Sequence, residues 1–168
     1  MTGMVQLGIP PDPALLQALG KLAIAHGNLE MVQIMCLKTL NGLAPDEAFE
    51  QFRRTPAGVI RENIEKVVVE RAGRQSPKEV NKLKELLLDA RCASRRRNTY
   101  LHRFWACRAS AEWVTSPDES LWEPLPAVAA IEDLTAFIQT TTARLNKQRF
   151  TGGLIFALAM SASGSEHA

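Results

Sequence analysis

The chain has 168 residues, of which 46% are hydrophobic, 23% charged and 6% aromatic, with a formal net charge of +2. A chain of this length fits one domain with a real core, and this composition excludes a disordered polymer. A charge so near balance also excludes capture of nucleic acid by overall attraction, so any such contact depends on a local patch.

Leu, Ala and Val carry most of the apolar mass, which predicts an all-α fold over a β-sandwich. Residues 1–13 hold three prolines and two glycines and read as an irregular arm. Residues 14–150 read as the helical domain, and residues 151–168, opening on Gly152-Gly153 and ending in Ser, Gly and Ala, as a partly disordered tail.

The first helix is expected from Ala14 to about Leu40, with one apolar row at Leu15, Leu19, Leu22, Leu29 and Cys36 and a second at Leu16, Ala23, Ile34 and Leu37. His26 takes the place of an apolar residue in the first row. Charges in this stretch are confined to Lys21, Glu30 and Lys38, so the helix is expected to be central or dimer-forming. Asn41-Gly42 predicts its stop, and Pro45 with Asp46 and Glu47 predicts a short second helix. A third is expected over Pro56 to Arg71, although Val67, Val68 and Val69 also suit a strand.

Ser76-Pro77-Lys78-Glu79 reads as a capping box with proline at the first helical position. From there the apolar stripe runs Val80, Leu83, Leu87 and Ala90, and its continuation reaches Ser94, Arg97 and Leu101. If the helix is continuous, Arg97 occupies a position where the pattern calls for an apolar residue. After His102 the pattern breaks, which predicts an irregular or hairpin insertion over residues 104–125 with a turn at Ser116-Pro117-Asp118. A last helix is expected from Ala127 to Lys147.

Cys36, Cys92 and Cys107 are an odd set with no CxxC spacing, which predicts reduced thiols and no zinc site. The longest apolar run, Leu154 to Met160, is too short to span a bilayer, and no signal segment is evident, so a cytoplasmic protein is expected.

The chemistry-bearing stretch is Arg95-Arg96-Arg97-Asn98-Thr99-Tyr100-Leu101-His102-Arg103. It belongs to a run of eighteen residues with six arginines, Arg91 to Arg108, and no acid. An inward Arg97 needs a partner, because a guanidinium cannot shed its charge. Glu30, the sole acid on the first helix, is one candidate; a subunit interface or a bound anion are the others. At ~100° per residue, Asn98 and His102 share a face and Arg95 lies within about 20° of His102, while Arg97 is about 140° away. Arg97 therefore reaches His102 only with its long stem, or acts across a dimer interface.

Arg97-Asn98-Thr99-Tyr100-Leu101-His102 resembles the R-N-x-x-x-H motif of the HEPN superfamily, and the stretch LGKLAIAHGNLEMVQ, residues 19 to 33, is similar to the long first helix of one bacterial branch of it. The resemblance covers roughly residues 14 to 147; Arg103 stands where that branch usually has glycine. It implies an up-and-down helical bundle that forms a homodimer with the two motifs in a shared cleft. In active members it implies a metal-independent endoribonuclease, in which a ribose 2′-OH attacks the adjacent phosphorus. Arg97, Asn98 and His102 would be the catalytic residues, and Arg95, Arg96 and Arg103 would bind RNA phosphate. No cofactor or metal is expected. RNA, a second copy and a regulatory or antitoxin-like protein, in a toxin–antitoxin or defence setting, are the expected partners.

The alternative is a non-catalytic HEPN-like module that binds RNA, nucleotide or a protein. His26 is expected to be a satisfied core histidine unless a packed partner helix brings it near His102, and His167 lies in the tail. Trp105, Trp113 and Trp122 are expected to roof a core more than to stack bases.

Overall fold

The computed structural model of the chain describes residues 5–73, 75–118 and 120–163. The described residues are mostly helical, with helices α1 (Pro13–Asn41), α2 (Pro45–Phe52), α3 (Ala57–Arg71), α4 (Pro77–Leu101), α5 (Val128–Lys147) and α6 (Leu154–Ser163), and a small antiparallel sheet. Its strands are β1 (Val5–Leu7), β2 (Phe104–Arg108), β3 (Trp113–Ser116) and β4 (Glu123–Pro124), in the order β1-β2-β3-β4. The chain divides into two compact units. One gathers the residues up to His26 with Ala93–Phe137, the other Gly27–Cys92 with the residues from Ile138 onward.

In the first unit, Asp12 caps α1: its Oδ1 accepts from the amides of Ala14 (2.9 Å) and Leu15 (3.1 Å), with Pro13 at the first helical position. The core here is built from Leu15, Ala18, Leu22 and Ala25 of α1, Ala93 of α4, Ala106 and Val114 of the sheet, and Ile131 and Leu134 of α5, all buried. Leu16 and Ile24, which belong to the other face of α1, are 41% and 69% exposed.

The sheet occupies the stretch where a hairpin insertion is expected, and it draws in part of the N-terminal arm. Val5 pairs with Arg108 and Leu7 with Ala106, while β2 and β3 pair Ala106 with Val114 and Cys107 with Trp113. The β2–β3 turn lies at Ala109–Ala111 and not at Ser116–Asp118. Arg108 and Glu112 close it with a backbone bond of 2.9 Å and a side-chain pair of 2.7 Å, and Ala111 takes a left-handed φ of 64°. Ser116, Pro117 and Asp118 begin the connection to β4, where the Ser120 hydroxyl and amide donate to Asp118 and hold its carboxyl below the ordinary range.

In the second unit, Ile60, Ile64 and Val68 of α3 are buried at four-residue spacing while Val69 is 54% exposed. The valine run is thus one turn of an amphipathic helix, because a strand would bury Glu62 and Lys66 on the same face as Ile60, Ile64 and Val68, and both are exposed. These side chains share the core with Leu29, Leu37 and Leu40 of α1, Leu83 and Leu86 of α4, Ile138 and Leu145 of α5, and Ile155 and Leu158 of α6. Buried Gln33 is satisfied by the Leu29 carbonyl (3.1 Å) and by Arg61 Nη1 (3.0 Å). Gly42, with φ 66°, follows the end of α1. Residues 154–163 of the segment read as a tail form α6, entered through a tight turn at Gly152 (φ 86°). His167 lies outside the described residues.

Candidate functional site

The site lies in the first unit, where α4 carries the arginine run. The helix is continuous from Pro77 through Leu101, and the His102 amide still donates to the Asn98 carbonyl at 3.2 Å. That continuity puts Ser94 and Arg97 on the inward stripe, each half-buried beside the fully buried Ala93. On α1, His26 stands in the apolar row and is only 2% exposed. Polar residues at apolar positions of two helices meet here and satisfy one another.

The Arg97 guanidinium is the hub. Its Nη1 lies 3.0 Å from Asn98 Oδ1 and 3.0 Å from His102 Nε2, and its Nη2 lies 3.0 Å from His26 Nδ1. His26 Nε2 in turn lies 3.1 Å from Ser94 Oγ. A guanidinium has donors only, so the ring nitrogens facing it accept. His102 therefore presents its Nε2 lone pair to Arg97 and carries its proton on Nδ1. His26 accepts at Nδ1 and donates from Nε2 to the serine. From surface to core the order is exposed His102 and Asn98, half-buried Arg97, then buried His26. Arg97 Nε is buried without a hydrogen-bond partner, a donor left over at the centre of the array.

Arg97, Asn98 and His102 are thus brought together, and Arg97 reaches round the helix with its long stem. The other arginines diverge. Arg95 is exposed on α4; Arg96, also exposed, lies over the Phe137 ring at 5.8 Å; and Arg103 pairs with Glu123 at 2.7 Å. Arg91 belongs to the second unit, where it lines an open cleft of about 310 Å³ with Arg61, Glu62 and Lys84. Burial and then the Arg91 charge lower the Arg61 pKa there, while Glu30 and Glu62 oppose the fall. Trp105, Trp113 and Trp122 are half-buried around the sheet, and a Cβ at Gly8 would stand 3.1 Å from the Trp113 ring.

Ser94 and His26 are the members that motif reasoning leaves outside the site. The signal for both is their place on apolar stripes, the same irregularity that marks Arg97. The arrangement supplies a positive charge, a ring nitrogen whose lone pair faces that charge and an amide within one hydrogen-bonded cluster at the surface. Such a set can grip an oxyanion and move a proton. Among the described residues, no group of three or more His, Cys, Asp or Glu side chains gathers where a metal could bind, and no helix is long and apolar enough to cross a membrane. No family model, curated protein or solved structure matches the chain.

Proposed function

We propose that the protein is a metal-independent endoribonuclease of HEPN type, with Arg97, Asn98 and His102 at its reactive centre. The observation that carries the reading is the 3.0 Å contact between Arg97 Nη1 and His102 Nε2. It puts a cation and a ring nitrogen side by side at the end of α4. When a phosphodiester enters, its oxygens compete for the Arg97 donors and Nε2 is released. His102 then takes the proton of the ribose 2′-OH, and the 2′-oxygen bonds to phosphorus. The bond to the 5′-oxygen breaks, and that oxygen takes a proton from water, whose hydroxide is neutralised by the proton that His102 then gives up. Arg97 stabilises the extra negative charge of the phosphorane, and Asn98 holds the guanidinium. The products are a 2′,3′-cyclic phosphate and a 5′-OH. The resemblance to HEPN proteins carries with it a homodimer, the state in which two such centres share one cleft.

The test is cleavage of labelled single-stranded RNA in EDTA by wild type, Arg97→Ala and His102→Ala. Losing the proton acceptor or the cation is expected to cost ~100-fold or more. Undiminished cleavage by His102→Ala, or none by folded wild type over a panel of RNAs, would refute the proposal.

A second reading rests on the closure of the same network. The Arg97 bonds to Asn98, His102 and His26 all stay within the chain, as they would in a brace of a non-catalytic module that binds RNA, nucleotide or protein. On that reading the substitutions at Arg97 and His102 change stability and leave no activity to lose.

A further inference from the structure

The buried end of the array holds a residue that the reaction above does not use. A long arginine side chain keeps wide rotamer freedom, so a guanidinium held at one nitrogen still swings. Asn98 and His102 both hold Nη1, the outer end. The inner end, Nη2, is held by His26 at 3.0 Å. His26 is itself fixed: it is 2% exposed in the α1 row, and its far nitrogen meets Ser94 Oγ at 3.1 Å. Ser94 and Arg97 are three residues apart on one face of α4, so the helix that carries the guanidinium also carries the group that orients its holder.

We infer that His26 is a positioning residue: its Nδ1 anchors Arg97 Nη2 so that Nη1 faces His102, and Ser94 Oγ, accepting from the opposite Nε2–H, holds the ring in place. The inference rests on the ribonuclease reading for its consequence, since a fixed Arg97 matters to catalysis only if Arg97 grips the reacting phosphate. His26 does not exchange a proton with substrate. Its contribution is geometric and is felt when phosphate displaces His102 from Nη1, because Nη1 then keeps only the exposed Asn98 while Nη2 stays tethered to a buried ring.

The substitutions that test this separate the two ring nitrogens. The amide oxygen of Asn falls near the place of Nδ1, the amide of Gln falls near that of Nε2, and Leu keeps the bulk with neither. His26→Leu and His26→Gln are expected to lose ~10- to 100-fold in kcat, the scale of a catalytic group misplaced by about an ångström, with little change in KM. His26→Asn is expected to recover most of that loss. The pH profile of kcat/KM should keep its limbs in place in every variant. A limb that disappears would make His26 a proton-transfer group, and wild-type kinetics in a folded His26→Leu would leave it no role; either result overturns the inference.

Ring nitrogen NMR of the wild-type protein decides the point without activity. His26 should show an unprotonated Nδ1 and a protonated Nε2, and His102 the reverse. In His26→Asn the His102 pattern should persist, and in His26→Gln it should revert towards the Nε2–H form. If the wild-type tautomers are as stated and RNA is not cut, positioning stands and the ribonuclease reading fails. A protonated Nδ1 on His26 sinks the positioning role whatever the enzyme does.

Discussion

The Cys36 thiol ties stability to alkaline pH in a way that can be worked through. Cys36 is fully buried in the second unit, with Sγ 3.9 Å from the Leu145 carbonyl. Burial raises its pKa from 9.0 to about 12, against a smaller lowering by Arg149. Because the folded value is the raised one, the thiol's contribution is fully present below pH 9 and is lost as pH climbs towards 12. At pH 10 the unfolded chain gains roughly 1.4 kcal/mol by ionising this group, whereas at pH 8 it gains less than about 0.1 kcal/mol. The folded chain ionises so little at either pH that the difference barely depends on its exact value. Urea unfolding of wild type and Cys36→Ala at both pH values, under reducing conditions, isolates the effect. Every other ionisable group is common to both proteins and cancels. The stability gap between the two should shrink by about 1.4 kcal/mol at the higher pH; a gap that stays constant would refute the argument.

Other consequences are local. A Cβ at Gly153 would stand 2.4 Å from the Gln148 carbonyl oxygen, so Gly153→Ala is expected to cost ~3 kcal/mol and lower Tm by thermal melting. Ala111 has a left-handed φ of 64°, so Ala111→Gly should relieve the β2–β3 turn and raise stability by about 0.5 kcal/mol in urea, the steric relief exceeding the extra chain entropy. Alkylation of native protein should reach the exposed Cys92 first and leave Cys36 untouched until unfolding, which peptide mass mapping reads directly.

Local signals carried most of the helices. Asn41-Gly42 stops α1, Pro45 opens α2, and α4 starts at Pro77 after Ser76, because caps and prolines act on their own neighbours. The sheet was legible only as an interruption. The pairing of Val5–Leu7 with Ala106–Arg108 joins distant stretches, and three residues beside Gly8 and two prolines have no periodicity to announce a strand. The turn falls at Ala111, where an alanine adopts a conformation that sequence patterns reserve for glycine. At the site, the stripe correctly marked Arg97 as inward. The helical wheel set Arg97 apart from His102 because it tracks the directions of Cβ atoms; the contact is made by a guanidinium several bonds further out, to a residue just beyond the last turn. His26 was visible as a polar residue in an apolar row, but its partner became evident only when α1 and α4 were seen side by side.

If Arg97 and His102 serve an attack by a ribose hydroxyl, cleavage depends on the 2′-OH beside the cut. A single-stranded RNA is compared in EDTA with the same RNA carrying one 2′-deoxy residue on the 5′ side of the cut. Wild type is expected to leave 2′,3′-cyclic phosphate and 5′-OH ends on the first and to make no cut at that bond in the second. Cleavage at the deoxy position, or products ending in a 5′-phosphate, would contradict it.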